Sequence, residues 1–448
     1  MRPGFLWGAA TSAYQIEGAV NADGRGESIW DRFCHTPGAI EGGATGDIAC
    51  DHYHRWPGDL DLMAEIGLTA YRFSVSWPRI QPEGRGRLNA PGLDFYSRLV
   101  DGLLSRGIAP VVNLYHWDLP QALEDRVRGW TGRETAERFA DFAEAVFRRL
   151  GDRVSWWLTL NEPWVQAFLG YHQGIHAPGV RDLGAAVRAS HHLLLGHGLA
   201  VEAYRSLSLG GQIGLALDLQ VSSPATDSDE DRRAATLSDG ATNRWFLDAL
   251  LRGAYPSDVA ELFAAHGADI GSVVRPGDLA TIARPIDFLG MNYYFRRTVS
   301  AADTGLGWTE DPAAPRTSTG VTEMGWGIDP DAFLEQLLRL HADYPGMPIL
   351  VTENGIGLRD DVGPDGSVDD RRRIDYLRDH VARVRQAIDA GVDVRGYFVW
   401  TLLDNFEWSF GYRPRFGLVH VDFATQRRTP KASAGWYAKL IRSAGALD

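Results

Sequence analysis

Two cysteines in 448 residues, Cys34 and Cys50, are too few for a disulfide framework. They allow one bridge at most, and free thiols in a reducing compartment are the expected state. No stretch comes near the ~18 uncharged apolar residues that a membrane-spanning helix requires. The N-terminus, Met1-Arg2-Pro3-Gly4-Phe5-Leu6-Trp7-Gly8, carries one basic residue and no apolar region of signal-peptide length. A cytoplasmic protein is therefore expected, provided the chain begins at its native start. Positive charge is in deficit, 45 Lys and Arg against 58 Asp and Glu, a net charge of −13. That disfavours nucleic acid and anionic membrane surfaces as partners. Low-complexity linkers, charge blocks and composition shifts are missing too, so a single domain over 1–448 is expected. His52, His54, His172, His176, His191, His192 and His197 form no His-Glu-x-x-His pair, and no Cys/His cluster has ligand spacing. Neither a metal nor any other cofactor is expected. Gly24-Arg25-Gly26 is no dinucleotide-binding turn, because it lacks the third Gly and follows no strand.

What is abundant is tryptophan, fifteen in all. Most are read as core, among them Trp7, Trp30, Trp56, Trp156, Trp157, Trp245 and Trp436. A handful could serve as flat platforms for sugar rings, whose C–H faces stack on aromatics. Short apolar runs recur at 5–10, 70–75, 109–115, 156–160, 212–217, 288–293, 349–352 and 394–400. Between them lie stretches with helical spacing, clearest at 93–106, 135–150, 331–344 and 371–390. His191, His192 and His197 are expected on a helix that packs against the sheet. Eight strands alternating with helices predict an all-parallel sheet, and eight such units close into an α/β (β/α)8 barrel. The long spans 18–58, 217–247 and 296–331 would be loops over its mouth.

Two of the runs end in a glutamate: Thr159-Leu160-Asn161-Glu162-Pro163 and Thr352-Glu353-Asn354-Gly355. Either one alone reads as a loop residue bonding local backbone. Together they stand at the C-terminal ends of the fourth and seventh of eight strands, where a barrel of this kind keeps its chemistry. Paired carboxylates there are suited to cleaving a glycosidic bond. Other strand ends supply Gln15, Arg72, His116 with Trp117, Asn292 with Tyr294, and Trp400 through Trp408. A polyhydroxylated ligand needs such a mixture of amides, imidazole, guanidinium and indoles, because every buried hydroxyl must be paired.

These segments resemble glycoside hydrolase family 1, the β-glucosidases and β-galactosidases. The resemblance rests on the N-terminal signature from Phe5 to Ala19, the two glutamate motifs, His176-Ala177-Pro178-Gly179, Met324-Gly325-Trp326 and Asn405-Phe406-Glu407-Trp408. It runs from Phe5 to about Trp436. It implies a retaining double displacement, with Glu162 as acid and then base and Glu353 as nucleophile. Arg72 and Tyr294 would hold the nucleophile ionised, and Asn292 would support the pair from the acid/base side. Gln15, His116, Asn161 and Glu407 would bind sugar hydroxyls. Trp400 would stack under the sugar, Trp117, Trp408 and Phe416 would complete the pocket, and Trp326 would flank the leaving group. Chemistry agrees: Arg72 should lower the pKa of the nucleophile, and burial beside that charge should raise that of the acid.

The implied substrates are small β-glycosides or oligosaccharides ending in glucosyl and similar residues. A 6-phospho-β-glycosidase is the first alternative. The intact Glu407-Trp408 pair speaks against it, since a carboxylate facing O4 and O6 would repel phosphate, but Arg413 and Arg415 keep it open. A transglycosidase shares every catalytic residue. A non-catalytic sugar-binding protein would usually have lost one carboxylate.

Overall fold

The computed structural model describes residues 1, 4–303, 305–311 and 320–446. Arg2 and Pro3 of the N-terminal reading, and residues 304 and 312–319 of the span 296–331, lie outside the described residues. Eight strands form a closed parallel barrel. They are β1 (Leu6–Ala10), β2 (Ala70–Ser74), β3 (Ala109–Tyr115), β4 (Trp156–Asn161), β5 (Gln212–Asp218), β6 (Phe288–Tyr293), β7 (Ile349–Asn354) and β8 (Val394–Trp400). Each pairs with its neighbours in sequence, and β8 closes on β1. Every expected run is therefore a strand, within two residues at either end. The helices expected by periodicity appear as Ala90–Ser105, Arg133–Leu150, Pro330–Asp343 and Arg371–Asp389. His191, His192 and His197 sit buried on helix Leu183–Ser206, where His197 bonds Thr159 of β4 at 2.7 Å. Cys34 and Cys50 are both buried free thiols.

The strands are covered on both faces, as parallel strands in a barrel must be. Ala10, Ala70, Val111, Leu158, Ala216, Phe288, Leu350 and Phe398 pack together as an inner cluster. Their neighbours Ala9, Tyr71, Val112, Trp157, Leu215, Leu289, Val351 and Val399 belong to the larger core shared with the helices. Strict alternation from Leu350 and Val351 would send Glu353 outward with Val351. The ladder prevents this. β7 slips register against β6 between Val351 and Glu353, and β4 slips against β5 between Leu158 and Asn161. Such irregularities re-aim side chains. Here they stand immediately before the two glutamates.

The long spans are not structureless. The first contains helix Ile29–Cys34, whose N-terminus is closed by a reciprocal Ser28–Asp31 capping box. The other two contribute Val221–Pro224, Arg296–Ala301 and Trp308–Asp311, which pair as a separate three-stranded sheet. Its strands leave the C-terminal ends of β5 and β6, so the sheet stands beside the barrel mouth. Segments this long carry backbone groups that must be paired, and local strands pair them.

Candidate active site

Glu162 and Glu353 face one cavity of about 430 Å³ at the C-terminal mouth. This lies within the range of small-molecule sites. Both carboxyls are buried, 5% and 3% exposed. Arg72 reaches inward from β2, in the same parity as Ala70, and donates to Glu353 Oε1 at 2.5 Å. The Tyr294 hydroxyl donates to Oε2 at 2.5 Å. Asn292 donates instead to Glu162 Oε1 at 2.6 Å, and its own carbonyl accepts from Thr352. Asn161 joins the two halves. Its carbonyl accepts from Arg72 and Asn292, and its amide faces His116 Nε2 at 3.1 Å. The turn carrying Glu353 closes tightly, since a Cβ at Gly355 would run into the Trp400 carbonyl. Glu162, Trp117 and Trp408 all hold left-handed backbone, with φ of 46°, 74° and 52°. Such strain in bulky residues persists where the surroundings enforce it, often at functional sites.

Burial raises the proton affinity of both glutamates, and of Glu162 by more. The Glu162 carboxyl is pushed well up by burial, by the charge of Glu353 and by that of Asp218. Arg72 and Tyr294 pull Glu353 down, as expected, but loss of water outweighs them and the net direction is upward. His116 is kept neutral by burial and by Arg72.

Glu407 lines the same cavity, bonded by Gln15 and by the Trp400 indole. Burial and the nearby Glu353 push it up to about 8. Its protonated form, which can donate as well as accept, is thereby favoured. Repulsion of a phosphate is then a weaker argument than the sequence implied. Arg413 and Arg415 answer the question otherwise. Arg413 is spent on Glu41 and Glu323, Arg415 on Asp404, and neither lines the cavity.

His116, Trp117, Tyr294, Trp326, Trp400, Glu407, Trp408 and Phe416 line the cavity with the two glutamates. Trp117 packs on Trp408 with centroids 4.6 Å apart, and Trp326 stacks on Phe295. Gln15, Arg72, Asn161 and Asn292 sit in the wall behind, within hydrogen-bonding reach of the lining groups. Sequence reasoning missed Trp164, Asp218, Arg297 and Glu310, which line one side of the cavity. Trp164 stood two residues after Glu162, and Asp218 ends β5. Arg297 and Glu310 carried no signal, because they lie on the added sheet. Among the described residues, no cluster of His, Cys, Asp and Glu could hold a metal ion. Nor is any described helix long and apolar enough to cross a membrane.

Comparison with known proteins agrees with this geometry. The model of glycosyl hydrolase family 1 matches residues 1–446. Beta-glucosidase A of Acetivibrio thermocellus is 46% identical, with 98% of each chain covered. A bifunctional beta-D-glucosidase/beta-D-fucosidase of Bifidobacterium breve is 49% identical, over 98% of this chain and 97% of that one. Among solved structures, the family 1 β-glucosidase of Thermotoga maritima in complex with isofagomine lactam superposes with a TM-score of 0.95. It is 45% identical and covers 100% of this chain and 99% of its own. A closed eight-stranded parallel barrel, two glutamates at its mouth and a family match over nearly every residue converge: the chain belongs to glycosyl hydrolase family 1.

Proposed function

We propose that the protein is a retaining β-glucosidase, with Glu353 as nucleophile and Glu162 as acid and then base. The observation that carries the roles is the unequal treatment of two buried carboxyls in one cavity. Glu353 receives two donors suited to an anion, a guanidinium and a phenol, whereas Glu162 receives one amide and lies beside two negative charges. In the first step a Glu353 oxygen attacks the anomeric carbon while Glu162 gives its proton to the departing oxygen. The product is a glycosyl ester on Glu353, and that charge is gone. One cause of the raised proton affinity of Glu162 is thereby removed. As a carboxylate it takes a proton from water, whose oxygen attacks the same carbon and frees Glu353.

The relatives named for glucosides and fucosides support neutral terminal glucosyl and fucosyl groups as substrates. Absence of an unpaired cation among the described lining residues argues against 6-phospho-sugars: Arg297 is the single Arg or Lys there, and it is engaged by Glu310 and Asp218. A cytoplasmic location belongs to the same proposal, supported by two buried cysteines that remain unbridged. The test is hydrolysis of 4-nitrophenyl β-glucoside followed by NMR. The β-anomer of glucose should form first. A first-formed α-anomer, or no turnover of any aryl β-glucoside or β-fucoside, overturns the proposal.

A further inference from the structure

The double displacement assigns no step to Asp218, although it lines the catalytic cavity together with Glu162. We propose that Asp218 is a positioning residue for the acid: a fixed anion that helps Glu162 keep its proton until the departing oxygen takes it. The proposal rests on the reading of Glu162 as the acid of a β-glucosidase and adds a residue to that mechanism.

The backbone puts Asp218 in place. It ends β5 in the same parity as Ala216, which packs in the inner cluster, so its side chain points into the barrel mouth. The Glu162 amide donates to the Ala216 carbonyl at 2.9 Å, and Asp218 pairs in register with Asn292, which donates to Glu162 Oε1. Glu162 at the end of β4 and Asn292 of β6 therefore meet over the end of β5, where Asp218 stands.

Hydrogen bonds hold Asp218 as a carboxylate. Gln220 is fully buried, and its carbonyl accepts from the backbone N–H groups of Tyr294 and Phe295 at 3.1 and 3.0 Å. That fixes its amide as a donor, and it donates to Asp218 Oδ1. Arg297 donates to Oδ2 at 3.3 Å. Burial raises the proton affinity of Asp218 itself, and Arg297 and Gln220 oppose that rise. Arg297 does not cancel the negative charge. It lies closer to Glu310, at 2.8 Å, so one guanidinium serves two carboxylates.

The other groups around Glu162 do not supply a lasting anion. Arg72 and Arg297 favour its ionisation. Tyr294 is held as a neutral phenol, and His116 and His176 at the same cavity are kept neutral by burial. Glu407 favours its protonated form, and Glu310 is paired by Arg297. Glu353 does oppose ionisation of Glu162, but its charge is consumed when the glycosyl ester forms. Asp218 makes no bond to the sugar, so its charge persists through both steps and disfavours a second anion beside it.

The experiment measures kcat/KM for 4-nitrophenyl β-glucoside across pH, for wild type, Asp218→Asn and Arg297→Gln. Loss of a negative charge near Glu162 eases its ionisation. Asp218→Asn should therefore move the alkaline limb to lower pH by about one unit and cut kcat/KM about tenfold at a fixed pH on that limb. Arg297→Gln removes a positive charge from the same place and should move the limb to higher pH. It decides the matter alone if Asp218→Asn does not fold. The acid limb should stay in place in both, since Arg72, Tyr294 and Asn292 are the groups that bear on Glu353. An alkaline limb that does not move in a folded variant, or moves in the opposite sense, overturns the proposal. An equal loss at every pH, the mark of a merely structural role, does the same. If the wild type does not cleave 4-nitrophenyl β-glucoside, the β-glucosidase reading itself fails. If Glu162→Gln abolishes the alkaline limb for 2,4-dinitrophenyl β-glucoside and Asp218→Asn leaves it in place, only Asp218 is misassigned.

Discussion

Replacing Tyr294 by Phe should move the acid side of the activity profile and little else. The phenol donates to Glu353 Oε2 at 2.5 Å, while Arg72 holds Oε1 at the same distance. The substitution keeps the ring against Trp326 and Phe416 and removes only that donor. A hydrogen bond to a charged group is worth about 1.5–3 kcal/mol. Tyr294 is buried, so little solvent screening discounts this figure. The bond stabilises ionised Glu353 against its protonated form, so its loss favours the protonated, unreactive form. At a fixed pH on the acid limb, kcat/KM should therefore fall by about 10- to 100-fold relative to wild type. The limb moves toward higher pH, because a raised proton affinity delays ionisation. The alkaline limb, set by Glu162, should stay nearly in place, and the bell should narrow. The assay is kcat/KM for 4-nitrophenyl β-glucoside across pH, since this quantity reports the free enzyme. An acid limb that stays put in Tyr294→Phe, or moves to lower pH, would refute Glu353 as the group that sets it.

Glu353→Ala should abolish turnover of every substrate, whereas Glu162→Ala should spare glycosides of acidic phenols far more than alkyl glycosides, which need a proton on the departing oxygen; equal losses in rate assays on both classes would reassign the acid. Glu407→Ser should lower kcat/KM for aryl β-glucosides by about 10- to 100-fold through lost hydrogen bonds to the sugar, and wild type should prefer glucosides to 6-phospho-glucosides, because the described cavity lining offers no free cation; parallel kinetics on both sugars check this. Asp118 is fully buried and pushed up to about 8 by burial. Its folded form therefore favours the protonated carboxyl, a contribution present below the ordinary carboxylate range and lost as pH rises through about 8. Asp118→Asn should flatten the fall in Tm between pH 6 and 9, and an unchanged slope in thermal melts would show that Asp118 is ionised in the folded protein.

Much of the architecture was legible because local pattern and tertiary demand coincide. Runs such as Ala109–Tyr115 and Phe288–Tyr293 must be apolar along their length, since parallel barrel strands are buried on both faces, and such runs show in one dimension. The glutamates were legible for a related reason: each ends such a run and is followed closely by a residue that stops a strand, Pro163 or Gly355. Trp164, beside that proline, could have been read from the same motif. Arg297 and Glu310 could not, because they sit in a span with no period of its own, and only the pairing of Arg296–Ala301 with Trp308–Asp311 brings them to the mouth.

Sequence alone thus determined the order of elements, the barrel class and the two strand ends that carry the paired glutamates. Tertiary structure decided what those ends do. Alternation from Leu350 would have turned Glu353 away from the cavity, and the slip between Val351 and Glu353 turns it in. Proximity to Arg72 was foreseen, yet the direction of the Glu353 shift was not, because it depends on how completely water is excluded. The raised proton affinity of Glu407 and the engagement of Arg413 and Arg415 by carboxylates follow the same rule. A residue type specifies which charge a group can carry, but its neighbours in space, set by contacts far apart in the chain, determine whether it carries that charge and what it is free to bind.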